Sequence, residues 1–517
     1  MTTGRLARAA AVVALFGLLS RALGFVREIV LAGVYGATGA TDAYVNALLV
    51  VNTVAAVLLY ALVTLVIPVF QQEREKEGPA SAWGLLWAIA GWVGIVLIAL
   101  SAAVAIWPDA VAAIFNLDPA RAATTATLLR IMAPALMLQG FSALFTAMLQ
   151  VHGRFAGPAA VGVAFNAGIL AGVAVGAASL GIEAAAWGVS LGALLQVVLQ
   201  LPQFVREARA AGGIRLRLTH PRLMATLILA LPVIGASVLQ QINSFTDKLF
   251  ASSLPPGRVA ALNFANALGS APRTALLFPL LTPLFPLVAR FMAEGRDGDA
   301  LGAFHRAAGL LALVSIPIGA YMAITATELT QLAFGRGKCG TDCVDQTAGP
   351  LVWYAIAVWP NFLGYLLNRT LSAANRAHDI MVATVVSVAV TIGLDIVLLG
   401  PLDQSGLALA SAIAVFLNTA MTLAYLLRRF PDMPMRRLGG QQGRLVVAGL
   451  AGSAAALAAS LVLPAAGTNP FRVALWLAAV GVAGGVVYGA SVWLVARSEL
   501  AEGRRAMRSL FRRRAAA

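Results

Sequence analysis

Four charged side chains interrupt the otherwise apolar stretch 20–44, and their depth in it makes them the first candidates for chemistry. They are Arg21, Arg27, Glu28 and Asp42. On insertion scales a charge at the centre of a membrane helix costs roughly 2.5–3.5 kcal/mol. We therefore expect these groups to face a water-filled cavity that receives a charged substrate. The alternatives are that they snorkel to the interface, or that adjacent Arg27 and Glu28 pair with each other. Gly24 and the small residues of 33–39 predict a bend, which makes Gly24 a candidate gating residue.

The sign of these charges indicates a class of substrate. Arg21, Arg27 and Arg273 outweigh the acidic groups around the expected cavity, whereas an exporter of cationic drugs would need the opposite balance. Because a guanidinium binds phosphate and carboxylate bidentately, the pattern favours an anionic substrate. A membrane potential that is negative inside would assist outward movement of an anion by about 2.3 kcal/mol per charge per 100 mV.

A second group of polar residues is of the type that binds a small cation. Thr391 and Asp395 are one helical turn apart, Asp247 lies in an earlier apolar run, and Ser411 lies in a later one. Carboxylate and hydroxyl oxygens are suitable ligands for Na⁺. The alternative is that Asp247 pairs with Lys248, and Asp395 with a neighbouring helix.

The remaining reactive residues do not suggest an enzyme. The four histidines are scattered through predicted connections, and the sequence contains no H-E-x-x-H, G-x-S-x-G or Walker A motif. ATP is therefore not expected as the energy source. Two cysteines, Cys339 and Cys343, are too few for a zinc site, and an oxidising compartment favours a disulfide between them over free thiols.

The composition is that of a polytopic all-α membrane protein. Of 517 residues, 60% are hydrophobic and 11% are charged, and apolar runs long enough to span a bilayer recur to the end, giving about fourteen predicted transmembrane helices. The N-terminal run is interpreted as a retained first span rather than a cleaved signal. Basic residues concentrate in alternate connections, which predicts that both termini are cytoplasmic. This orientation explains the net charge of +15 without a nucleic-acid partner.

A weak internal repeat predicts two related six-helix lobes. The sequence 25–28, F-V-R-E, corresponds to 245–248, F-T-D-K, and each places a charged pair late in an apolar run. We predict an N-lobe over 1–215, a C-lobe over 216–435, and two C-terminal helices with a basic cytoplasmic tail over 436–517. The eighth predicted span, 258–290, contains four prolines, of which Pro272 and Pro279 are candidate gating residues.

Several motifs resemble the MurJ/MviN family of lipid II flippases in the MOP exporter superfamily. The opening signature runs from Ser20 to Glu28 and continues through 35–37 and 41–44; weaker matches occur at Asn52, 153–158, 262–266 and 406–411. The resemblance covers essentially the whole chain. It implies two lobes around a cationic cavity, with the last two helices forming a groove for the lipid tail.

The resemblance also implies a function. A family member would carry lipid II, the undecaprenyl-pyrophosphate-linked peptidoglycan precursor, from the inner to the outer leaflet of the bacterial inner membrane by alternating access. Its partners would be this anionic lipid-linked saccharide and membrane lipids, it would act as a monomer without nucleic acid, and an ion gradient or the membrane potential would drive it. No cofactor beyond a coupling Na⁺ is implied.

The residue roles that the resemblance implies follow the matching positions. The substrate-binding residues would be Arg21, Arg27, Asp42, Asn52 and Arg273, and the sodium ligands would be Asp247, Thr391, Asp395, the Leu407 carbonyl and Ser411. The chain departs from the family where its second span reads V-N-T-V-A over 51–55, without the arginine that many members carry; in the repeat alignment Arg273 lies opposite Ala55. A flippase for another polyprenyl-pyrophosphate-linked oligosaccharide, or a cation-coupled exporter of the MATE type, remains the alternative.

Overall fold

The computed structural model describes residues 3–115, 117–210, 213, 218–277, 284–431 and 433–497. All regular elements within these ranges are helices, which confirms the predicted all-α class. By its internal contacts the chain forms two compact units, Met1–Ala260 and Ala261–Ala517. The lobes predicted from the repeat, with a boundary after residue 215, remain a prediction.

Among the described residues, the first unit contains eight α-helices, a 3-10 turn (Ala113–Phe115) and the beginning of a ninth α-helix. They are α1 (Thr3–Tyr35), α2 (Gly39–Glu77), α3 (Pro79–Ile106), the short α4 (Pro108–Ala112), α5 (Pro119–Val151), α6 (Ala156–Leu180), α7 (Glu183–Ala210), α8 (Leu223–Ser252) and the first residues of α9 (Arg258–Pro272). A π-helical turn, Arg273–Leu277, follows α9.

The second unit continues with eight more helices among the described residues. They are α10 (Leu284–Ala293), α11 (Asp297–Ile324), α12 (Ala326–Phe334), α13 (Thr341–Ile356), α14 (Val358–Ala373), α15 (Ala377–Arg429), α16 (Met435–Val462) and α17 (Pro470–Val495). The backbone of Asp403, with φ of 49°, breaks α15 into two helices.

Helix ends follow local chemistry. Gly36, at φ 70°, ends α1 in a conformation that favours glycine, and the Thr38 side chain then caps α2 by accepting a hydrogen bond from the Thr41 backbone N–H. Gly78, at φ 88°, ends α2, and Pro79 opens α3. α1 is continuous through Gly24 and ends at Gly36, which lies within the small-residue stretch 33–39 that predicted a bend.

Close helix pairs are built on glycine. A Cβ on Gly168 of α6 would lie 2.3 Å from the Cα of Gly192 on α7, and one on Gly452 of α16 would lie 3.0 Å from the carbonyl oxygen of Gly484 on α17. Small residues of this kind let helices approach closely where the lipid supplies no hydrophobic driving force.

Nine described helices are long and apolar enough to cross a membrane, or up to eleven if α8, bent by 47°, and the pair α13 and α14, bent by 45°, each count as one span. α15 covers two predicted spans that meet near Asp403, and α1 covers the first. The eighth predicted span corresponds to α9, the π turn and α10, and its middle lies outside the described residues. Apart from that middle, the predicted spans fall mainly on helical segments.

Candidate functional site

The membrane-depth charges of α1 are held against α6. Arg27 donates a hydrogen bond of 3.1 Å from Nη1 to the side-chain oxygen of Asn166, and its Nη2 pairs with the carboxylate of Glu28. Asn166 in turn donates to the carbonyl oxygens of Ser20 and Gly162, at 3.2 and 2.9 Å. The amide of Asn166 therefore fixes the position of the guanidinium.

Lys248 of α8 and Tyr44 of α2 complete this cluster. Lys248 interacts electrostatically with Glu28, Asp247 and Arg27, and Tyr44 interacts with Arg27 and Glu28. We call Arg27, Glu28, Tyr44, Asn166 and Lys248 the charge cluster.

Two polar atoms of the charge cluster are buried without a hydrogen-bond partner in the described part of the chain. They are Nε of Arg27 and the hydroxyl of Tyr44. Buried polar groups in proteins are nearly always paired, so two orphans in one cluster indicate a place that water or a ligand occupies. The side chain of Arg27 is 17% exposed, which leaves the guanidinium accessible in part.

The other two predicted arginines are exposed. Arg21 is exposed on α1, and Arg273 is exposed at the start of the π turn in the second unit. Asn52 is half-buried within α2. The substrate-binding roles of Arg21, Asn52 and Arg273 stay predictions.

Asp42 occupies a different site, which we call the Asp42 clasp. Its carboxylate is fully buried and accepts hydrogen bonds from the backbone N–H groups of Gly257, at 2.6 Å, and Ala260, at 2.8 Å. Two further residues on the same face of α2 contact this turn: Asn46 donates to Ser252 at 3.0 Å, and a Cβ on Gly39 would lie 3.3 Å from Pro256.

Arg121 of α5 supports the Asp42 clasp. Its Nη1 lies 3.7 Å from the Asp42 carboxylate and donates to the Leu254 carbonyl at 3.1 Å. The same residue pairs with Asp118, the N-cap of α5, and its hydrogen bonds lower the pKa of the Asp118 carboxyl. Asp42 therefore ties α2 to the turn between α8 and α9.

The predicted sodium ligands divide between the two units. Asp395 and Leu407 are fully buried in α15, Thr391 donates its hydroxyl to the Ser387 carbonyl at 2.9 Å, and Ser411 is half-buried. Asp247 belongs to the first unit. In the described residues no three His, Cys, Asp or Glu side chains converge as a metal site. The hydroxyl, carboxylate and carbonyl oxygens of the four α15 residues are of the type that binds Na⁺, and their role as ligands stays a prediction.

A buried polar network joins the end of α2 to the segment before α8. Ser81 donates to Glu73 at 2.6 Å and lies 3.2 Å from Nε2 of His220, which resembles the composition of a hydrolase triad. The backbone N–H of Arg222 donates to Nδ1 of His220, however, so the ring carries its proton on Nε2 and cannot accept one from Ser81. The network is therefore structural.

The second unit contains an apolar groove of about 230 Å³ between α11, α16 and α17. Tyr321 and Tyr488 line it, and their hydroxyls donate at 2.8 Å to the carbonyls of Leu477 and Leu313. Because both polar tips are occupied, the groove presents mainly hydrocarbon. Its glycine wall consists of Gly449, Gly452, Gly481, Gly484 and Gly485.

The two cysteines and the candidate gating residues lie at other places in the fold. Cys339 and Cys343 form a disulfide at the start of α13. Pro272 ends α9, where the α-helix gives way to the π turn, and Pro279 lies outside the described residues. Gly24 faces Asn166, since a Cβ there would lie 3.7 Å from its amide. The gating roles of Gly24, Pro272 and Pro279 stay predictions.

Sequence reasoning missed several residues of these sites. Asn166, Tyr44, Asn46 and Arg121 were not singled out. Asn46 could have been found, because it lies one helical turn after Asp42 on the same face. Asn166, a lone amide in an apolar run, carried a weaker signal of the same kind.

A sequence model of the family described as "Lipid II flippase MurJ" matches residues 31–475. The match includes Asp42 and Asn52 and begins after Arg27. The probable lipid II flippase MurJ of Rhizobium meliloti is 27% identical over 427 residues, which cover 79% of this chain and 78% of the relative. Lipid II flippase MurJ of Burkholderia cenocepacia is 26% identical over 436 residues, covering 82% and 84%.

Two solved structures share the fold. Lipid II flippase MurJ in an inward closed conformation matches with a TM-score of 0.80 at 17% identity, covering 94% of this chain and 99% of that chain. An inward-facing multidrug resistance MATE transporter of the MOP superfamily matches with a TM-score of 0.65 at 11% identity, covering 81% and 95%. At these identities the likeness is one of fold.

Proposed function

The chain belongs to the MurJ family of lipid II flippases, and on this basis we propose that it carries lipid II from the inner to the outer leaflet of the bacterial cytoplasmic membrane by alternating access. In this proposal the charge cluster binds the pyrophosphate, the groove receives the polyprenyl tail, and the Asp42 clasp closes the outer end. Because every part lies in one chain, we propose that it acts as a monomer.

The observation that carries the proposal is the unfilled donor capacity of the charge cluster. Arg27 is held in place by Asn166 while its Nε and the hydroxyl of Tyr44 lack partners in the described residues. A pyrophosphate offers several acceptor oxygens, and a guanidinium binds such oxygens with directed hydrogen bonds. Glu28 holds the guanidinium in position while no substrate is bound, through its ion pair with Arg27.

The groove supports the proposal because it suits a long hydrocarbon chain. It lies between transmembrane helices, and its tyrosine hydroxyls are occupied by backbone carbonyls. A tail in this groove would stay in an apolar environment while the headgroup moved. A soluble drug-like substrate would not need such a surface.

The Asp42 clasp supports an alternating-access cycle. The predicted topology puts the α1–α2 and α8–α9 connections on the outer side, where Asp42 holds the turn at Gly257. Release of the headgroup outward would require this contact to open. We propose that the clasp is formed in the inward-directed states and broken in the outward-directed ones.

We propose that the membrane potential drives transport, together with Na⁺ bound near Thr391 and Asp395. A bound Na⁺ would neutralise the buried Asp395 carboxylate and so couple ion entry to the conformation of α15. Movement of the anionic substrate outward would itself gain about 2.3 kcal/mol per charge per 100 mV.

A leaflet-specific accessibility assay in cells tests the proposed function. Cells depleted of this protein should accumulate labelled lipid II that an externally added, membrane-impermeant lipid II hydrolase cannot cleave. Expression of the wild-type chain should restore cleavage. Unchanged cleavage in depleted cells that have no other flippase would contradict the proposal.

A further inference from the structure

A second cavity, of about 580 Å³, lies at the end of the second unit where α11 begins and α15 ends. Its walls come from the first turns of α11, the last residues of α15, the connection after it and the first turn of α16. The lining residues include Asp297, Gly298, His305, Arg429, Phe430 and Arg437. Its volume is in the usual range for small-molecule sites, and the charge cluster and the groove share no residue with it.

The two arginines of this cavity carry uncompensated charge. Neither Arg429 nor Arg437 forms an ion pair with a carboxylate in the described part of the chain. Three other arginines of the same predicted side are paired, and the distances to their carboxylates are 2.6 Å for Arg290, 2.7 Å for Arg296 and 2.6 Å for Arg376. The cavity therefore concentrates guanidinium groups that are available to an anion.

The start of α11 adds to the positive potential. The helix begins without a side-chain cap, so its first N–H groups and its dipole face this end. Gly298 leaves that surface open, because a Cβ there would meet nothing within 4 Å. The one carboxylate among the lining residues is Asp297, which offsets only part of the charge of the two arginines.

The remaining lining is apolar and stands at the predicted cytoplasmic boundary of the membrane. Leu301, Phe430, Pro431 and Pro434 contribute it, while His305 is buried with Nδ1 3.1 Å from the Leu301 carbonyl. A free phosphate gains nothing from contact with apolar side chains, whereas the glycerol and first methylenes of a lipid would pack against them. Basic pockets between transmembrane helices on this side are typical headgroup sites.

We propose that this cavity binds the phosphate headgroup of an anionic phospholipid of the inner leaflet, with Arg429 and Arg437 as its ligands. The site shares no residue with the charge cluster or with the groove. It would anchor the α15–α16 connection to the membrane surface, so that anionic lipid stabilises the second unit.

The test uses the full-length protein in nanodiscs and two matched double variants. Arg429→Gln with Arg437→Gln removes the cavity charges, and Arg428→Gln with Arg436→Gln removes the same charge from neighbouring positions that do not line the cavity. All four side chains are exposed, so neither variant disturbs a packed core. Thermal unfolding is followed in phosphatidylcholine discs with and without phosphatidylglycerol, and retained phosphatidylglycerol is counted by native mass spectrometry.

Phosphatidylglycerol should raise the unfolding temperature of the wild-type chain and of the 428/436 variant, and the rise should vanish in the 429/437 variant. Retention of the lipid should fall roughly fivefold for each cavity arginine removed. An equal rise in all three proteins would overturn the proposal. An equal rise when glycerol 3-phosphate is added to phosphatidylcholine discs would also overturn it, because a soluble anion would then suffice.

Discussion

The guanidinium of Arg27 donates a hydrogen bond of 3.1 Å to the side-chain oxygen of Asn166, which is 139 residues further along the chain. This contact fixes the orientation of the Arg27 guanidinium, which α1 carries within the predicted membrane span. It leaves Nε of Arg27 without a hydrogen-bond partner among the described residues. Asn166 is thus a positioning residue for the proposed substrate ligand, and its removal should affect transport through Arg27.

Replacing Asn166 by alanine should reduce flipping nearly as much as replacing Arg27 by alanine, because the guanidinium would lose its anchor to α6. The unfolding free energy should fall by about 1–3 kcal/mol, since Arg27 and the Ser20 carbonyl each lose a partner. Complementation of a flippase-depleted strain, with expression measured in parallel, checks this. The double variant should be no worse than Arg27→Ala alone; additive losses would show that Asn166 acts independently.

Asp42→Asn should loosen the turn at Gly257. One carboxylate oxygen becomes an NH₂ group, which cannot accept a hydrogen bond. Of the two bonds donated by the N–H groups of Gly257 and Ala260, one is therefore lost. Loss of a charge-assisted bond of this kind costs about 1.5–3 kcal/mol, which corresponds to roughly tenfold or more faster amide exchange at these positions. Asp109→Asn is the control, since Asp109 is exposed at the start of α4; similar exchange at Gly257 in both variants would refute the clasp.

Gly485→Leu should fill the groove and reduce transport without harming stability. A Cβ at Gly485 meets nothing within 4 Å, so the new side chain displaces lipid and not protein. Gly489→Leu is the matched control on the same helix, one turn later, also with open space and outside the groove lining. Flipping should fall in the first variant only; wild-type flipping with Gly485→Leu would exclude the groove as the path of the tail.

Asp395→Asn should remove any sodium dependence of flipping, because the variant lacks the buried charge that the ion would neutralise. Flipping by proteoliposomes is measured with and without a Na⁺ gradient. Asp345→Asn, at an exposed position of α13, serves as control and should keep the dependence. A variant that still responds to Na⁺ would place the coupling ion elsewhere.

Much of the fold could be predicted from the sequence because a membrane chain records its spans as apolar runs. Asp403 is an example: it lies between two predicted spans, 379–401 and 405–428, and its backbone divides α15 at the same place. Of the two places where small residues predicted a bend, Gly24 lies within a continuous helix, whereas Gly36, in the stretch 33–39, ends α1.

The site was less predictable, because its residues meet through helix packing. Arg27 could be identified from the sequence because a buried charge is costly wherever it lies. Its hydrogen bond to Asn166 could not, because that contact depends on how α1 packs on α6. Arg27 and Asp42 are close in sequence, yet the turn at Gly36 sends them to different sites. Nothing in the sequence indicates that Arg27 and Asp42 belong to different sites.

The flipping of fluorescent lipid II by the reconstituted protein tests the role of Arg27 without the complications of a cell. Proteoliposomes contain the wild-type chain, Arg27→Gln or the surface control Arg428→Gln, and the fraction of label exposed to an external quencher is followed with time. We predict that flipping by Arg27→Gln falls to the rate of protein-free liposomes while Arg428→Gln flips like the wild type. Flipping by Arg27→Gln at the wild-type rate would contradict the proposal that this guanidinium binds the transported pyrophosphate.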